Sequence, residues 1–482
     1  MINEKNSLRI VIILGSFTIL LSIALIISLN SYVLLIADLL PAAISSTYLI
    51  NTFRKQKKGS KDNRNKTLPI PFIFFGLIVI PLTITIVTSI VYSFEIYLIV
   101  ISFVMPLTFM TLFFYLPLAI YDKYFNKRVT MPSLIQTLTV IVPAFNEEHN
   151  IKRTLDSIIE ADYPNKEIIV VDDGSTDETY TIVSKYLKKF HSSRFSLIRK
   201  QNGGKASAIN LALRFAKGEI VIIIDADSII ERNTLQEIAK ELQRPGVVAV
   251  AGKVKVLDRS NILTNCIALE VAIGVNLLRP PFSLFGVVPI VPGALGGFRK
   301  NVMLQRGLYD KHTLTEDFDM TLKLLKTGGT IVGISSISYT EVPLTLKGLY
   351  RQRTRWNRGN FQTLIKHKDI MTSTRYGMLQ RFGYPITLSM FLIPPFLDII
   401  VSIFAVLAIL GGVWMSLIVP FVLFVLLQFL LSAIAIVLDG KEQWRLIVYS
   451  PFAIIGYKQI INFIIIKSIF DVIFRKNLKW YR

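Results

Sequence analysis

Glu219-Ile220-Val221-Ile222-Ile223-Ile224-Asp225-Ala226-Asp227 is the stretch that decides the fold. Five apolar residues run without interruption and stop on two carboxylates. β-Branched side chains pack well on a pleated surface, and a run that is apolar on both faces reads as a buried strand. Positions two apart in an extended chain point to the same side, so Asp225 and Asp227 can face one cation. The flanking sequence repeats the pattern. Leu138–Pro143, Glu167–Val171, Phe195–Arg199 and Val247–Val256 also read as strands. Between them, Glu148–Ala161, Glu178–Phe190, Lys205–Lys217 and Asn233–Gln243 carry helical spacing. This alternation predicts an α/β domain with a mostly parallel sheet and helices on both faces. Such sheets bind ligands at the carboxyl ends of their strands. Three polar clusters fall there: Ala144-Phe145-Asn146-Glu147, Asp172-Asp173-Gly174-Ser175 and Asp225-Ala226-Asp227.

Each motif carries a structural reading beside a chemical one. Asp227-Ser228 can simply cap a turn. Two hard carboxylates also suit Mg²⁺ or Mn²⁺ bridging to phosphate oxygens. Asp172 to Asp177 reads as a turn and helix cap, yet a carboxylate at a strand end can also accept from a base or ribose. Asn202-Gly203-Gly204-Lys205 opens a helix, where glycines let backbone N–H groups approach an anion and Lys205 adds charge. Thr315-Glu316-Asp317 precedes the helical pattern Phe318–Lys326. Acidic residues favour a helix N-terminus, and Asp317 is also placed to act as a general base, with Glu316 as its neighbour. Gln352-Arg353-Thr354-Arg355-Trp356 lies on the basic run Tyr350–Lys368. It reads either as an interfacial helix on lipid headgroups or as a site in which Arg355 meets a diphosphate and Trp356 offers a flat face to a sugar ring. The four histidines are too scattered to form a ligand cluster.

The 482-residue chain is 52% hydrophobic, with a mean hydropathy of +0.51. That excess is concentrated in blocks: Ile10–Leu29, Pro69–Phe94, Ile96–Tyr121 and Ile399–Leu438. A spanning helix needs about 20 apolar residues, so the first three hold one span each. The fourth holds two, turning near Gly411-Gly412. Ser31–Phe53 is a further candidate. The first segment is too long for a signal-peptide core and reads as a retained span. The net charge of +21 reads as a membrane signature rather than a nucleic-acid surface, because Arg54, Lys55, Lys57, Lys58, Lys61, Arg64 and Lys66 sit between apolar blocks. Such a loop also favours anionic lipids. With that loop inside, the polar stretch is cytoplasmic. The expected organisation is a transmembrane region over 1–121 (about four helices, basic loop 54–68), a cytoplasmic domain over 122–380, and a second transmembrane region over 381–482. The last holds two or three helices, with one of the segments Phe382–Leu397 or Leu446–Phe474 as a candidate interfacial helix; Pro394-Pro395 and Asp398 suit an interfacial helix turning into a span. The single cysteine, Cys266, excludes an intrachain disulfide framework.

In this order, Asp-Asp-Gly-Ser, Asp-x-Asp, Thr-Glu-Asp and Gln-x-x-Arg-Trp resemble the processive family 2 glycosyltransferases, which include the cellulose, hyaluronan, chitin and poly-N-acetylglucosamine synthases. Val142-Pro143-Ala144-Phe145-Asn146-Glu147 fits the first strand end of that family, and Pro292 to Arg299 fits its acceptor segment. The resemblance covers about 136–370. It implies a GT-A nucleotide-sugar domain set between bundles of transmembrane helices, and inverting transfer from a UDP-sugar to a β-linked polymer. It also implies roles. Pro143, Asn146, Glu147, Asp172, Asp173, Lys205, Asp225, Gln352 and Arg355 would bind the nucleotide-sugar. Asp225 and Asp227 would hold Mg²⁺ or Mn²⁺. Asp317 would be the base, and Gly293, Phe298, Arg299 and Trp356 would meet the acceptor. The polymer would leave through a channel of membrane helices. Two competing expectations are single transfer to a lipid acceptor, such as a polyprenyl phosphate or diacylglycerol, and a sugar-binding transporter or channel. The sequence names no accessory export or regulatory subunit.

Overall fold

The apolar runs that end in polar clusters assemble into one eight-stranded sheet. The computed structural model of the chain describes residues 4–28, 47, 51, 110–126, 136–190, 194–412, 415–440 and 444–474. The chain divides into two compact units. The first comprises Met1–Lys127, Ser260–Phe285 and Lys368–Lys476, and the second Arg128–Arg259, Gly286–His367 and Asn477–Arg482.

The strands of the second unit are β1 (Leu138–Ala144), β2 (Lys166–Asp172), β3 (Phe195–Arg199), β4 (Ile220–Ile223), β5 (Ile229–Ile230), β6 (Val247–Val256), β7 (Gly296–Arg299) and β8 (Thr330–Thr340). Their spatial order is β3-β2-β1-β4-β7-β6-β8-β5. The β3-β2-β1-β4 half is parallel throughout. β7 runs antiparallel between β4 and β6, β6 and β8 pair in parallel, and β5 lies antiparallel to β8. Parallel pairings therefore predominate. Val140, Val142, Ile168, Val170, Ile220 and Ile222 share a core with Leu155, Ile158, Leu235 and Ile238 of the covering helices. On the opposite face Ile141, Ile169 and Val221 are equally buried, and the helix Lys205–Phe215 packs on β1 and β2. Both faces are covered, which explains why these strands are continuous hydrophobic runs rather than alternating ones.

The first helix starts at Ile151, not Glu148. The N–H groups of Glu147 and Glu148 donate instead to Thr179 Oγ1 (2.8 Å) and Asp177 Oδ2 (3.2 Å), so this segment belongs to the rim. β7 and β8 are strands that the sequence pattern did not reveal. Gly296 and Gly297 give β7 little strand propensity, yet a Cβ on Gly297 would collide with Ile238. The glycine is what lets the helix Thr234–Gln243 lie close on the sheet.

In the first unit, Glu4–Ser28 is helical, matching the first apolar block. Tyr384–Leu410 and Met415–Asp439 are helices separated at Gly411-Gly412, and Gly412 has φ +75°. Tyr384–Leu410 runs through Pro394 and Pro395 unbroken, so the turn expected there does not form. Without competing water, a helix keeps its remaining backbone bonds across a proline. Among the described residues three helices are long and apolar enough to cross a membrane: Ile262–Leu284, Leu379–Ile403 and Trp444–Ile473. The first lies within the range 122–380, and its Asn265, Glu270, Asn276 and Arg279 hid it from a hydropathy reading. Its polar groups find partners inside this unit: Asn276 Nδ2 donates to Asp439 (3.0 Å), and the Tyr457 hydroxyl donates to Glu270. Polar groups between apolar helices pair in this way. Most of the blocks Ser31–Phe53, Pro69–Phe94 and Ile96–Tyr121, the basic loop 54–68 and Arg475–Arg482 lie outside the described residues.

Candidate active site

The ends of β1 and β2 are joined into one polar rim. Asp172 is fully buried; its Oδ1 accepts from Ser175 N–H (3.1 Å), and its Oδ2 lies 3.2 Å from Arg199 Nε. The Arg199 guanidinium also sits 4.7 Å from the centre of the Tyr180 ring. Asp173 accepts from Lys200 Nζ (2.5 Å), Gly203 N–H (3.0 Å) and Gly204 N–H (2.8 Å). It thus anchors the glycine loop ahead of Lys205. Gly174 has φ +78°, and a Cβ there would stand 2.8 Å from Asn202 N, so only glycine fits this turn. Asn146, at φ +54°, accepts from Thr176 N–H at 2.9 Å, and Glu147 accepts from Asn150 at 3.2 Å. Pro143 lies within β1, paired with Val171.

Beyond the end of β4 the acidic residues gather around one lysine. Lys205 is ion-paired to Asp225. Burial opposes its charge, but Asp225, Glu316 and Asp317 together hold the ammonium above its ordinary value. Asp227 accepts from Ser228 and Thr340 hydroxyls, both at 3.2 Å. Burial and then the charge of Asp225 push it up to about 6, against the pull of Lys205. Burial likewise raises Glu316 and Asp317, while Lys205 and Arg355 draw both back. The Asp317 carboxylate also accepts from Phe318 N–H at 2.8 Å. Four carboxylates facing Lys205 and Arg355 remain short of positive charge. The arrangement fits a divalent cation: two hard carboxylates, Asp225 and Asp227, would hold it, and substrate oxygens and water would complete its shell. Among the described residues no group of three or more His, Cys, Asp or Glu is placed to hold an ion by itself.

The sign of these shifts gives a stability prediction. A carboxyl raised in the folded state costs nothing below its unfolded value of about 4.3. As pH rises from there through the raised folded value, the unfolded state loses its proton first and stability falls. Glu316→Gln removes that penalty. We expect the variant to melt higher than wild type at neutral pH and to match it near pH 4, as read by thermal unfolding in detergent. A lower melting point at neutral pH would contradict the assignment.

Gln352, Arg355 and Trp356 lie on the helix Leu346–Lys366. Trp356 is 36% exposed, and the Arg353 guanidinium lies 4.8 Å from its ring centre. The helix comes close to the acidic segment: a Cβ on Gly359 would stand 2.8 Å from Thr315 N.

Not every expected residue joins this site. Arg299 pairs with Ile220, at the opposite end of β4 from Asp225. Its guanidinium donates to the carbonyls of Val247 (2.7 Å) and Arg244 (3.1 Å). Phe298 is 2% exposed and packs in the core. The acceptor role expected of these two is therefore corrected to packing, because antiparallel β7 carries them away from the rim. Gly293 does reach the site: a Cβ there would collide with Lys205 Nζ and stand 3.5 Å from Asp225 Oδ2. Two residues that sequence reading missed border the cluster. Thr340 ends β8, and Tyr309 is a buried phenol pushed well above its ordinary value by burial and by Asp317, Glu316 and Asp225. Asn210 fixes Tyr309 through both its backbone N–H (2.9 Å) and carbonyl (2.8 Å). Neither residue sits in a recognisable motif.

The sheet, whose parallel half ends in a polar rim beside an Asp-x-Asp pair, has a GT-A-like architecture. Residues 139–304 match the family model described as glycosyl transferase family 2. The chain is similar to poly-beta-1,6-N-acetyl-D-glucosamine synthase of Staphylococcus epidermidis, with 29% identity over 250 residues, covering 51% of this chain and 60% of that protein. Against the enzyme of the same description from Staphylococcus aureus (strain COL) the identity is 28% over 234 residues, covering 48% and 56%. The match thus spans less than two thirds of either relative's length. Among solved structures, a mannosyltransferase from Pyrobaculum calidifontis in complex with GDP-Man and Mn²⁺ superposes with a TM-score of 0.59 at 22% identity. It covers 80% of this chain and 100% of the other, a likeness of fold.

Proposed function

We propose that the chain is a membrane-embedded, metal-dependent inverting glycosyltransferase that moves a sugar from a UDP-sugar onto a growing β-linked polysaccharide. In this reading it crosses the membrane several times and keeps its transferase unit in the cytoplasm, where UDP-sugars are made. The observation that carries it is the gathering of Asp225, Glu316 and Asp317 around Lys205. A diphosphate needs the cationic groups, and a poorly nucleophilic hydroxyl needs a base. The poly-N-acetylglucosamine synthases to which the chain is similar make UDP-N-acetylglucosamine the first donor to test.

The rim formed by Asn146, Glu147, Asp172 and Asp173 would seat the nucleoside. Asp225 and Asp227 would hold Mg²⁺ or Mn²⁺, which when bound neutralises the diphosphate and its developing charge. Lys205 and Arg355, with Gln352, would hold phosphate oxygens. Asp317 accepts the proton of the acceptor hydroxyl as its oxygen bonds to the anomeric carbon. The bond from that carbon to the phosphate oxygen breaks, and its electron pair leaves with UDP. Attack opposite the leaving group converts an α-linked donor into a β-linkage. The raised value of Asp317 makes it a better base than an exposed aspartate.

The test is UDP release by the purified full chain from a panel of nucleotide sugars, followed by sizing of the product. Long polymer is expected. A lipid bearing one sugar would replace this reading with single transfer, and no UDP release from any donor would leave the transporter reading. Trp356 supplies a second check, because an aromatic face binds a sugar ring with little entropy to lose. Trp356→Ala should impair elongation far more than donor affinity, and Trp356→Phe should keep part of the activity. Equal loss of both would count against an acceptor platform.

A further inference from the structure

Behind the acidic segment lies a buried charged cluster that the proposed chemistry does not use. Asp319, two residues beyond Asp317, is completely buried. It is met by Lys323 Nζ at 2.8 Å, Lys366 Nζ at 2.6 Å and His367 Nε2 at 2.9 Å. Lys366 also pairs with Asp310 at 2.7 Å, whose carboxylate accepts from His312 N–H at 2.8 Å. One cluster thus ties together the loop after Tyr309, the helix that opens at Glu316, and the C-terminal end of the helix Leu346–Lys366. These three partners hold Asp319 well below the ordinary carboxylate range, although burial works against its charge.

Burying a carboxylate is costly even when it is paired, and a well-packed apolar cluster is often at least as stable. Stability alone is therefore a weak reason for ions at this place; fixing register is a better one. The geometry supports it. Gly359, Thr363 and Lys366 recur at spacings of four and three, one face of a helix. That face presses on the Thr315–Asp319 segment: Gly359 lies against Thr315, and the Thr363 and Thr315 hydroxyls are 3.5 Å apart. Continued toward the N-terminus, the same stripe reaches Arg355 and Gln352.

We propose that Asp319, Lys366 and His367 form a positioning cluster that sets the register of the Gln352–Trp356 segment against Glu316 and Asp317. It rests on the function proposed above. From Lys366 to Arg355 the helix is about 16 Å long. A tilt of about 4° at the anchored end would therefore move Arg355 by about 1 Å, and a displacement of that size can cost about 10²-fold in rate.

The test uses the full chain in detergent or nanodiscs. Lys366 is partly exposed, so Lys366→Met should fold; it is expected to lower kcat for sugar transfer on the order of 10- to 100-fold and, through the shifted Arg355, to weaken UDP binding measured by calorimetry by a smaller factor. His367→Ala should do the same. His367→Gln, which keeps a donor where Nε2 stands, should restore most of the rate. Because the cluster acts through the Gln352–Trp356 segment, Lys366→Met should cost much less in a Trp356→Ala background than in wild type. Unchanged kcat, equal effects of Ala and Gln at 367, or full additivity with Trp356→Ala would each overturn the proposal. A wild-type chain that releases no UDP would instead sink the function on which it rests, so the two failures are distinguishable.

Discussion

Asp317→Asn is expected to lower turnover by about 10²–10⁴-fold, the usual cost of removing a general base. The substitution keeps shape and the hydrogen bond from Phe318 N–H, but an amide cannot take the acceptor's proton. Donor binding should survive, because Lys205, Asp225 and the rim around Asp172 and Asp173 are untouched. Steady-state UDP release paired with calorimetric UDP binding separates the two. A pH profile adds a check of sign. Since burial raises Asp317, the acid limb of kcat should fall at a pH above the ordinary aspartate range, about 3.9. In Asp317→Asn that limb should disappear. If the variant keeps near-wild-type turnover, the base is elsewhere, and Glu316, buried and facing Lys205, is the next to test.

The second large effect concerns the cation. Asp225 and Asp227 beside a diphosphate repel it unless a divalent ion intervenes. Activity should vanish with excess chelator and return with Mg²⁺ or Mn²⁺. Asp227→Asn should abolish transfer and weaken Mn²⁺ binding measured directly by paramagnetic resonance in the presence of UDP. The protein should still fold, since Asp227 lies on a polar rim with Ser228 and Thr340 as partners. Full activity in excess EDTA would remove the metal from the reading.

The parallel half of the sheet was legible because its signals are local. Phe195–Arg199 forms over the expected residues, and β1, β2 and β4 end within a residue of expectation; outside that half, Val247–Val256 also forms as expected. Continuous Val and Ile runs specify buried strands, and a polar cluster marks where each one stops. The motif residues Asp172, Asp225, Asp227, Asp317 and Arg355 could be picked out for the same reason. Other features were hidden because their meaning depends on distant contacts. Gly296-Gly297 looks like a loop until Ile238 is seen against it. Ile262–Leu284 escaped notice because its polar residues, answered by Asp439 and Tyr457, lower its hydropathy.

By itself, then, the sequence determined the order of the strands along the chain, the carboxylates at their ends and the apolar blocks on either side. These follow from side-chain periodicity and chain-local chemistry. Only the tertiary structure decided what each charged group faces. It turned Asp173 toward the Gly203–Gly204 loop, sent Arg299 to the far end of β4, drew Lys205 among Asp225, Glu316 and Asp317, and buried Asp319 beneath Lys366 and His367. The physical reason is that charge interactions depend on distance and burial. Both are set by segments that meet across about 20 to 110 residues of chain, well beyond the reach of local pattern.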